Sequence, residues 1–428
     1  MANERQGPCP GLNTMANHGY IPRNGIATLA QTIIGAMQLF NMGADLSGFL
    51  AGGSFLLAGD IPSTRYSIGG ADSRTNTLGG VGQLLGTETG LSGHLRFKEG
   101  DASATRCDFY LCNGDDHNLN VGVFKDLQNQ AKTVGGGQYN VAALQHHFAN
   151  QYSNSRKNNP YFYFFPQQAA LAIGATYFVA GFFSNGTIGF GGVANEASIA
   201  SFLGVQFNSD GSIKGRGMSI SLLSKVHKMD LRLTHSNSVP EQIPPQGWYR
   251  RGFPMFLSEG IDGIITLYTG AAAILGDPLL FGATNGTAGD FSSAFGLTQL
   301  SGTGSFGGTD KNKFACAIEE AVYGNFVSEF STVLNTVTSA LNTVTSLFGV
   351  FGCPTPSGAN PVLAPAPSYQ GYPKPSPCTL NKQQNGVSQC APDTNTYDAF
   401  NTAKVPYCLN SPTVANPLSN PYPVPIPQ

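Results

Sequence analysis

The first side chain with unusual chemistry is Cys9, framed as Pro8-Cys9-Pro10 near the start of a 428-residue chain. Each proline fixes its own φ and biases the residue before it toward extended backbone, so Cys9 is expected on a stiff, non-helical elbow. From Leu12 the chain can turn helical, and the first N–H groups of such a turn have no partner inside the helix. A sulfur facing them is more readily a thiolate, the form that binds metal. A second concentration of chemistry is Glu99-Gly100-Asp101-Ala102-Ser103-Ala104-Thr105-Arg106. By itself this acidic, small-residue run is a helix start with favourable charge.

Both runs sit in longer ordered blocks. The first continues through Gly11-Leu12-Asn13-Thr14-Met15-Ala16-Asn17-His18-Gly19-Tyr20-Ile21-Pro22-Arg23-Asn24-Gly25. Between the two lie Tyr66-Ser67-Ile68-Gly69-Gly70 and Gly90-Leu91-Ser92-Gly93-His94. After them come Asp116-His117-Asn118-Leu119-Asn120, Asn159-Pro160-Tyr161-Phe162 and Pro245-Gln246-Gly247-Trp248-Tyr249-Arg250. In this order the blocks resemble the heme-thiolate peroxidase family, the fungal chloroperoxidases and unspecific peroxygenases, over roughly residues 5 to 260. The resemblance implies a mainly α fold, one helical domain of chloroperoxidase/peroxygenase type, binding heme b with Cys9 as axial iron ligand. It also implies a magnesium ion held by the Glu99 carboxylate, the Gly100 carbonyl and the Ser103 hydroxyl, and touching a heme propionate. That donor set suits an ion that prefers a few hard oxygens and keeps several waters. Phe178 matches an aromatic of the family's distal pocket and reads equally well as a core phenylalanine. The implied reaction uses hydrogen peroxide to oxidise or oxygenate a small organic substrate.

The sequence departs from the family where protons must move. Members with the Glu-Gly-Asp form carry an arginine and, seven residues later, a glutamate; counted from Asn159, those places hold Gln168 and Ala175. The other known arrangement puts a histidine directly after the metal-site glutamate, where this chain has Gly100. Neither Gln168 nor Ala175 can carry a proton from one peroxide oxygen to the other, a role worth about 10²–10⁴-fold in rate. A thiolate ligand assists O–O cleavage by itself. The expectation is weak or altered activity, with a non-redox ligand-binding heme protein as the second reading. Lys98, Thr176 and His147 are the substitutes in view. A buried lysine can exchange protons near neutrality, although lysines usually snorkel to solvent. A hydroxyl is a poor base. His146 and His147 read first as a pair on an ordinary helix.

Composition sets the frame. Net charge is −2 and no Lys/Arg cluster of useful length occurs, which argues against nucleic acid as a partner. No stretch is long and apolar enough to span a bilayer. Only 11% of residues are charged, and the sequons Asn185-Gly186-Thr187 and Asn285-Gly286-Thr287 fit a secreted glycoprotein. Residues 1 to 8 are polar and show no signal peptide, as in a mature chain with an added Met1 or an intracellular protein. Of eight cysteines, Cys107 and Cys112 lie near the second motif and Cys316 in a helical segment. Cys353, Cys378, Cys390 and Cys408 punctuate a Pro-rich tail and suggest disulfides, with three internal pairings possible and Cys316 able to compete. The expected division is a heme-binding domain over 1–352 and a stapled extension over 353–428.

Periodicity supplies the elements that must position these groups. Ile26, Leu29, Ala30, Ile33, Ile34, Met37 and Phe40 predict one apolar helical face between Asn24-Gly25 and Gly43. Further helices are expected over 49–58, 169–183, 197–205 and 218–233, separated by long Gly-rich loops such as 69–90 and 282–308. Leu334, Val337, Leu341, Val344 and Phe348 form a heptad-like seam expected to pack on its own domain.

Overall fold

A computed structural model of the chain describes residues 7–60, 62–70, 72–77, 90–91, 101–108, 111, 119–211, 213–214, 245–284, 288–296, 310–329, 341–356, 383–384 and 387–388. The helix expected over 218–233, the first part of the 334–348 seam, Lys98, Glu99 and Gly100 lie outside these residues. Among the described residues the fold is mainly helical, with small antiparallel sheets at its margins.

The chain enters through α1 (Pro10–Asn17) and a short strand, β1 (Ile26–Thr28). Thr28 then caps α2 (Leu29–Phe40): its hydroxyl accepts from the Gln31 N–H, and the Gln31 side chain accepts from the Thr28 N–H. The apolar run from Ile26 is therefore a strand and a helix. Its buried face also differs from the expected one. Ile34 and Met37 are 54% and 38% exposed, whereas Thr32, Gly35, Ala36, Leu39 and Phe40 face inward. Gly35 explains the rotation: a Cβ there would lie 2.7 Å from the Met15 side chain and 2.9 Å from the Tyr20 carbonyl. The small-residue face is the one that α1 can approach closely.

Asn41, with φ of 54°, closes α2, and Gly43 opens α3 (Ala44–Ala58), longer than the expected 49–58. The strand β1 pairs with β3 (Arg65–Ser67), which pairs in turn with β2 (Gly59–Asp60). Beyond these, α4 (Val121–Thr133) packs on α5 (Val141–Asn158), and each is capped by an asparagine side chain, Asn120 and Asn140. Helix α6 (Pro166–Phe183) starts on a proline, which needs no N–H partner at that position, and runs through the predicted apolar segment. After α7 (Glu196–Phe202) come α8 (Leu257–Leu275) and α9 (Lys311–Glu329); α5, α6, α8 and α9 pack against one another as the central helical layer.

Two aromatic groups fill the interior. Phe148, Tyr152, Phe162 and Phe164 stack beneath the sheet of β4 (Tyr163–Phe164), β5 (Leu280–Thr284) and β6 (Phe291–Gly296). Phe40 meets Phe182, Phe183 and Phe202, and Trp248 closes on Phe202. Each fully buried ring removes enough apolar surface to contribute about 1.5–3 kcal/mol. The described end of the heptad-like seam packs within the chain: Phe348 meets Phe49 edge-on, and Val344 lies at Gly52 of α3. Cys316 of α9 is bonded to Cys353, so the first residue of the tail is tied back to the helical layer. Of the two sequons, Asn285 lies outside the described residues; the Asn185 side chain accepts from the Tyr249 N–H and donates to the Gly247 carbonyl.

Candidate heme-thiolate site

Cys9 is the N-cap of α1, with extended φ and ψ of −87° and 110°, the elbow expected between its prolines. The turn is locked from both sides. The Gly7 N–H donates to Asn13 Oδ1 at 2.9 Å, and Asn13 Nδ2 donates back to the Gly7 carbonyl at 2.8 Å. Gly7 is itself pressed onto Ile68, where a Cβ would fall 1.7 Å from the carbonyl oxygen. The thiol is free and keeps accessible surface. Protein nevertheless surrounds it closely. Burial pushes the Cys9 thiol above its ordinary value, while the backbone N–H groups of Leu12 and Gly11 and the charge of Arg106 pull it down.

Arg106 joins the two sequence motifs. Its Nε donates to the Pro8 carbonyl at 3.1 Å across 98 residues, and its Nη1 donates to Thr105 Oγ1. Beside it, the Ser103 hydroxyl accepts from the Arg106 N–H at 3.2 Å and lies at the rim of the same loop. Ala102 holds the loop in left-handed backbone, φ 58°, with its N–H donated to Asp108 Oδ1 at 3.0 Å. A non-glycine residue there costs on the order of 1 kcal/mol and persists because neighbours enforce it. One neighbour is Asn159, whose Nδ2 donates to both Asp101 Oδ2 and Asp108 Oδ2. Burial raises the Asp108 carboxyl, and hydrogen bonds from Ser155, Asn159 and the Ala102 N–H oppose the rise.

The other neighbour is His147. It is fully buried on α5, with Nδ1 2.6 Å from Asp126 Oδ2 and Nε2 2.9 Å from the Ala104 carbonyl. A carbonyl only accepts, so Nε2 donates. Both ring nitrogens are thus committed to holding the 101–108 loop on α4 and α5. The structure gives His147 no free nitrogen to face a substrate.

Gln168, Ala175 and Phe178 all lie on α6, on one face with Leu171. Leu171, Ala175 and Phe178 keep accessible surface on a helix that is otherwise largely buried. Phe178 contacts Phe182, Phe182 contacts Phe40, and the Phe40 ring packs at Gly11, whose Cβ position is 3.8 Å from Cys9 Sγ. The accessible face of α6 and the thiol therefore border one interior region. Gln168 is 3% exposed, and neither its Nε2 nor its Oε1 has a hydrogen-bond partner. Leaving such an amide unpaired costs about 1–3 kcal/mol per group. Thr176, the hydroxyl in view, is buried and donates to the Ala172 carbonyl. A free thiol on a rigid elbow, backbone N–H groups directed at it with the Arg106 charge nearby, and an apolar aromatic face in the same region together fit a heme with its sulfur ligand.

A family model described as peroxidase, family 2, matches residues 1–253. The chain belongs to this family. The fungal heme-thiolate peroxidases and peroxygenases make up the family, and the matched span agrees with the blocks from Pro8 to Arg250. Among relatives of the family, the dothistromin biosynthesis peroxidase dotB of Dothistroma septosporum is 30% identical over 372 residues, 83% of this chain and 80% of that protein. The aromatic peroxygenase of Coprinellus radians is 37% identical over 183 residues, 43% of this chain and 68% of that protein. The aromatic peroxidase fscJ of Fusarium equiseti is 29% identical over 359 residues, 81% of this chain and 74% of that protein. As a family 2 peroxidase the chain is an oxidoreductase whose family implies heme, a peroxide and an organic substrate. No described helix is long and apolar enough to cross a membrane.

Sequence reasoning missed three positioning groups: Arg106 on the Pro8 carbonyl, Asn159 across two carboxylates, and Asp126 behind His147. Arg106 and Asn159 stood inside the quoted blocks, so their spacing was visible, but partners 98 and 58 residues away were not.

Proposed function

We propose that the chain binds heme b through Cys9 and uses hydrogen peroxide to oxidise or oxygenate a small organic substrate, with weak or altered turnover. The observation that carries this reading is the free Cys9 thiol, held on its elbow with two backbone N–H groups directed at it and the Arg106 charge nearby on the Pro8 carbonyl. Heme, when bound, supplies the iron that activates peroxide. The elbow orients the sulfur, and the N–H groups and guanidinium stabilise its anionic form. Glu99, Gly100 and Ser103 are proposed as ligands of a magnesium ion, with the 101–108 loop fixed by His147 and Asn159 to present Ser103. Phe178 is proposed as an apolar wall of the distal pocket. With Gln168 and Ala175 unable to exchange protons and His147 committed elsewhere, Lys98 is the remaining candidate for that task. The disulfide Cys316–Cys353 supports an oxidising, secreted setting for a domain over 1–352 with an extension from 353.

The test is rapid mixing of the purified, heme-loaded chain with hydrogen peroxide while the Soret band is followed over milliseconds to seconds. A fast spectral change supports peroxide turnover. A thiolate-type Soret band that persists or only bleaches slowly supports the second reading, a non-redox ligand-binding heme protein, which Gln168 and Ala175 favour. Cys9→Ala must abolish the thiolate-type spectrum; an unchanged spectrum in that variant overturns the axial assignment.

A further inference from the structure

Gln168 is the buried polar side chain that the activity leaves unexplained. In native proteins buried amides are paired almost without exception, and one with both ends unpaired calls for a partner or a reason. Gln168 is 3% exposed with Nε2 and Oε1 both unpartnered. Its helical face continues through Leu171, Ala175 and Phe178, all with accessible surface. Of the other accessible residues of α6, Ala170 packs against the core, and Tyr177 and Gly181 are accounted for by α8 and its approach: Tyr177 lies at Gly263 and Gly181 at the Met255 side chain. Among the described residues the Gln168 face has no such covering group, and it borders the region reached from Cys9 through Phe40, Phe182 and Phe178.

The chemistry of the amide narrows what meets it. Nε2 donates, Oε1 accepts, and the group carries no charge. A carboxylate or ammonium would be desolvated there with no counter-charge on the described residues of that face, Leu171, Ala175 and Phe178. An ether or ketone accepts only, and would leave Oε1 orphaned. A hydroxyl both donates and accepts, and relieves both atoms. Leu171, Ala175 and Phe178 offer nothing polar, so the body of the ligand is apolar, and the Phe178–Phe182 ring pair, 5.0 Å between centroids, suits an aromatic one. We propose that Gln168 is a specificity-determining residue that reads a hydroxyl group on an otherwise apolar aromatic substrate lying along Leu171, Ala175 and Phe178. This inference rests on the proposed peroxidase reading and names the substrate class of that same site.

The experiment titrates the heme-loaded full chain with 2-naphthol and with its methyl ether, 2-methoxynaphthalene, following the Soret difference spectrum and the heat of binding. 2-Naphthol should bind about tenfold or more tightly than the ether, a difference of about 1.4 kcal/mol. Gln168→Leu should remove that preference by weakening 2-naphthol alone, and in the absence of ligand it should raise the melting temperature, because the desolvated amide is gone. Gln168→Asn serves as a second variant, retaining part of the preference. Equal affinities in the parent chain, an equal loss of both ligands in Gln168→Leu, or a lower melting temperature in that variant would each overturn the proposal. Failure of the peroxidase reading is separately visible, as a Soret band unmoved by peroxide while the hydroxyl preference persists in calorimetry.

Discussion

Substituting His147→Leu removes both contacts by which the ring links the 101–108 loop and α5 to Asp126 of α4. The ring is fully buried, and its Nδ1 contact to Asp126 is 2.6 Å and its Nε2 contact to the Ala104 carbonyl is 2.9 Å. Leucine leaves the Asp126 carboxylate buried with Gln130, Asn150 and Gln151 as its remaining donors. A hydrogen bond to a charged group contributes about 1.5–3 kcal/mol and a neutral one about 1. Breaking a buried pair from one side costs about 3–5 kcal/mol, which agrees with the sum and is the expected loss. Urea unfolding at pH 7, read at constant slope, measures it. Acid supplies a second check. Burial pushes the Asp126 carboxyl up, but the hydrogen bond and charge of His147, with Asn150 and Gln130, outweigh it and hold the group below its ordinary 3.8. The pair's contribution is therefore complete above the unfolded carboxyl value and is lost as pH falls through the lower folded one. The gap between parent and variant should shrink in that acid range. A gap under about 1 kcal/mol at pH 7, the scale of a solvent-exposed pair, would refute the clamp.

Three further outcomes are expected. Burial, and then the charge of Glu320, push the Glu319 carboxyl up from 4.5 to about 7. Folding is then penalised increasingly as pH rises between those values, and Glu319→Gln should stabilise by about 1–3 kcal/mol at pH 8 and by almost nothing at pH 4, in urea titrations at both. Cys316→Ser opens a loop closed over 37 residues and should cost up to about 4 kcal/mol, seen as a lower thermal midpoint and a smaller further drop on adding reductant than in the parent. Gly7→Ala drives a Cβ into the Ile68 carbonyl and should lower heme loading with thiolate character while far-ultraviolet circular dichroism shows the helices intact.

Local constraints were the most legible. Two prolines define the Cys9 elbow without help from the rest of the chain, and α6 announces itself as an apolar run whose proline start extends it by one turn. The face of α2 was not legible, since its phase follows from where Gly35 permits close approach, and that depends on α1 and Tyr20. Cys353 has several possible partners by count, and only the placement of α9 selects Cys316. His147 was visible as a histidine on a helix, but its role depends on Asp126, 21 residues away on another helix, and on a carbonyl 43 residues away.

The contact from Arg106 to the Pro8 carbonyl sets an order of assembly during synthesis. The guanidinium that steadies the Cys9 elbow is made about a hundred residues after the elbow itself. That guanidinium is in turn placed by a loop awaiting His147 and Asn159. Until those residues are made, the nascent chain carries a thiol without its cradle. Cofactor capture on the ribosome should begin only once α5 and Asn159 have emerged, so stalled chains ending before that helix should retain no heme.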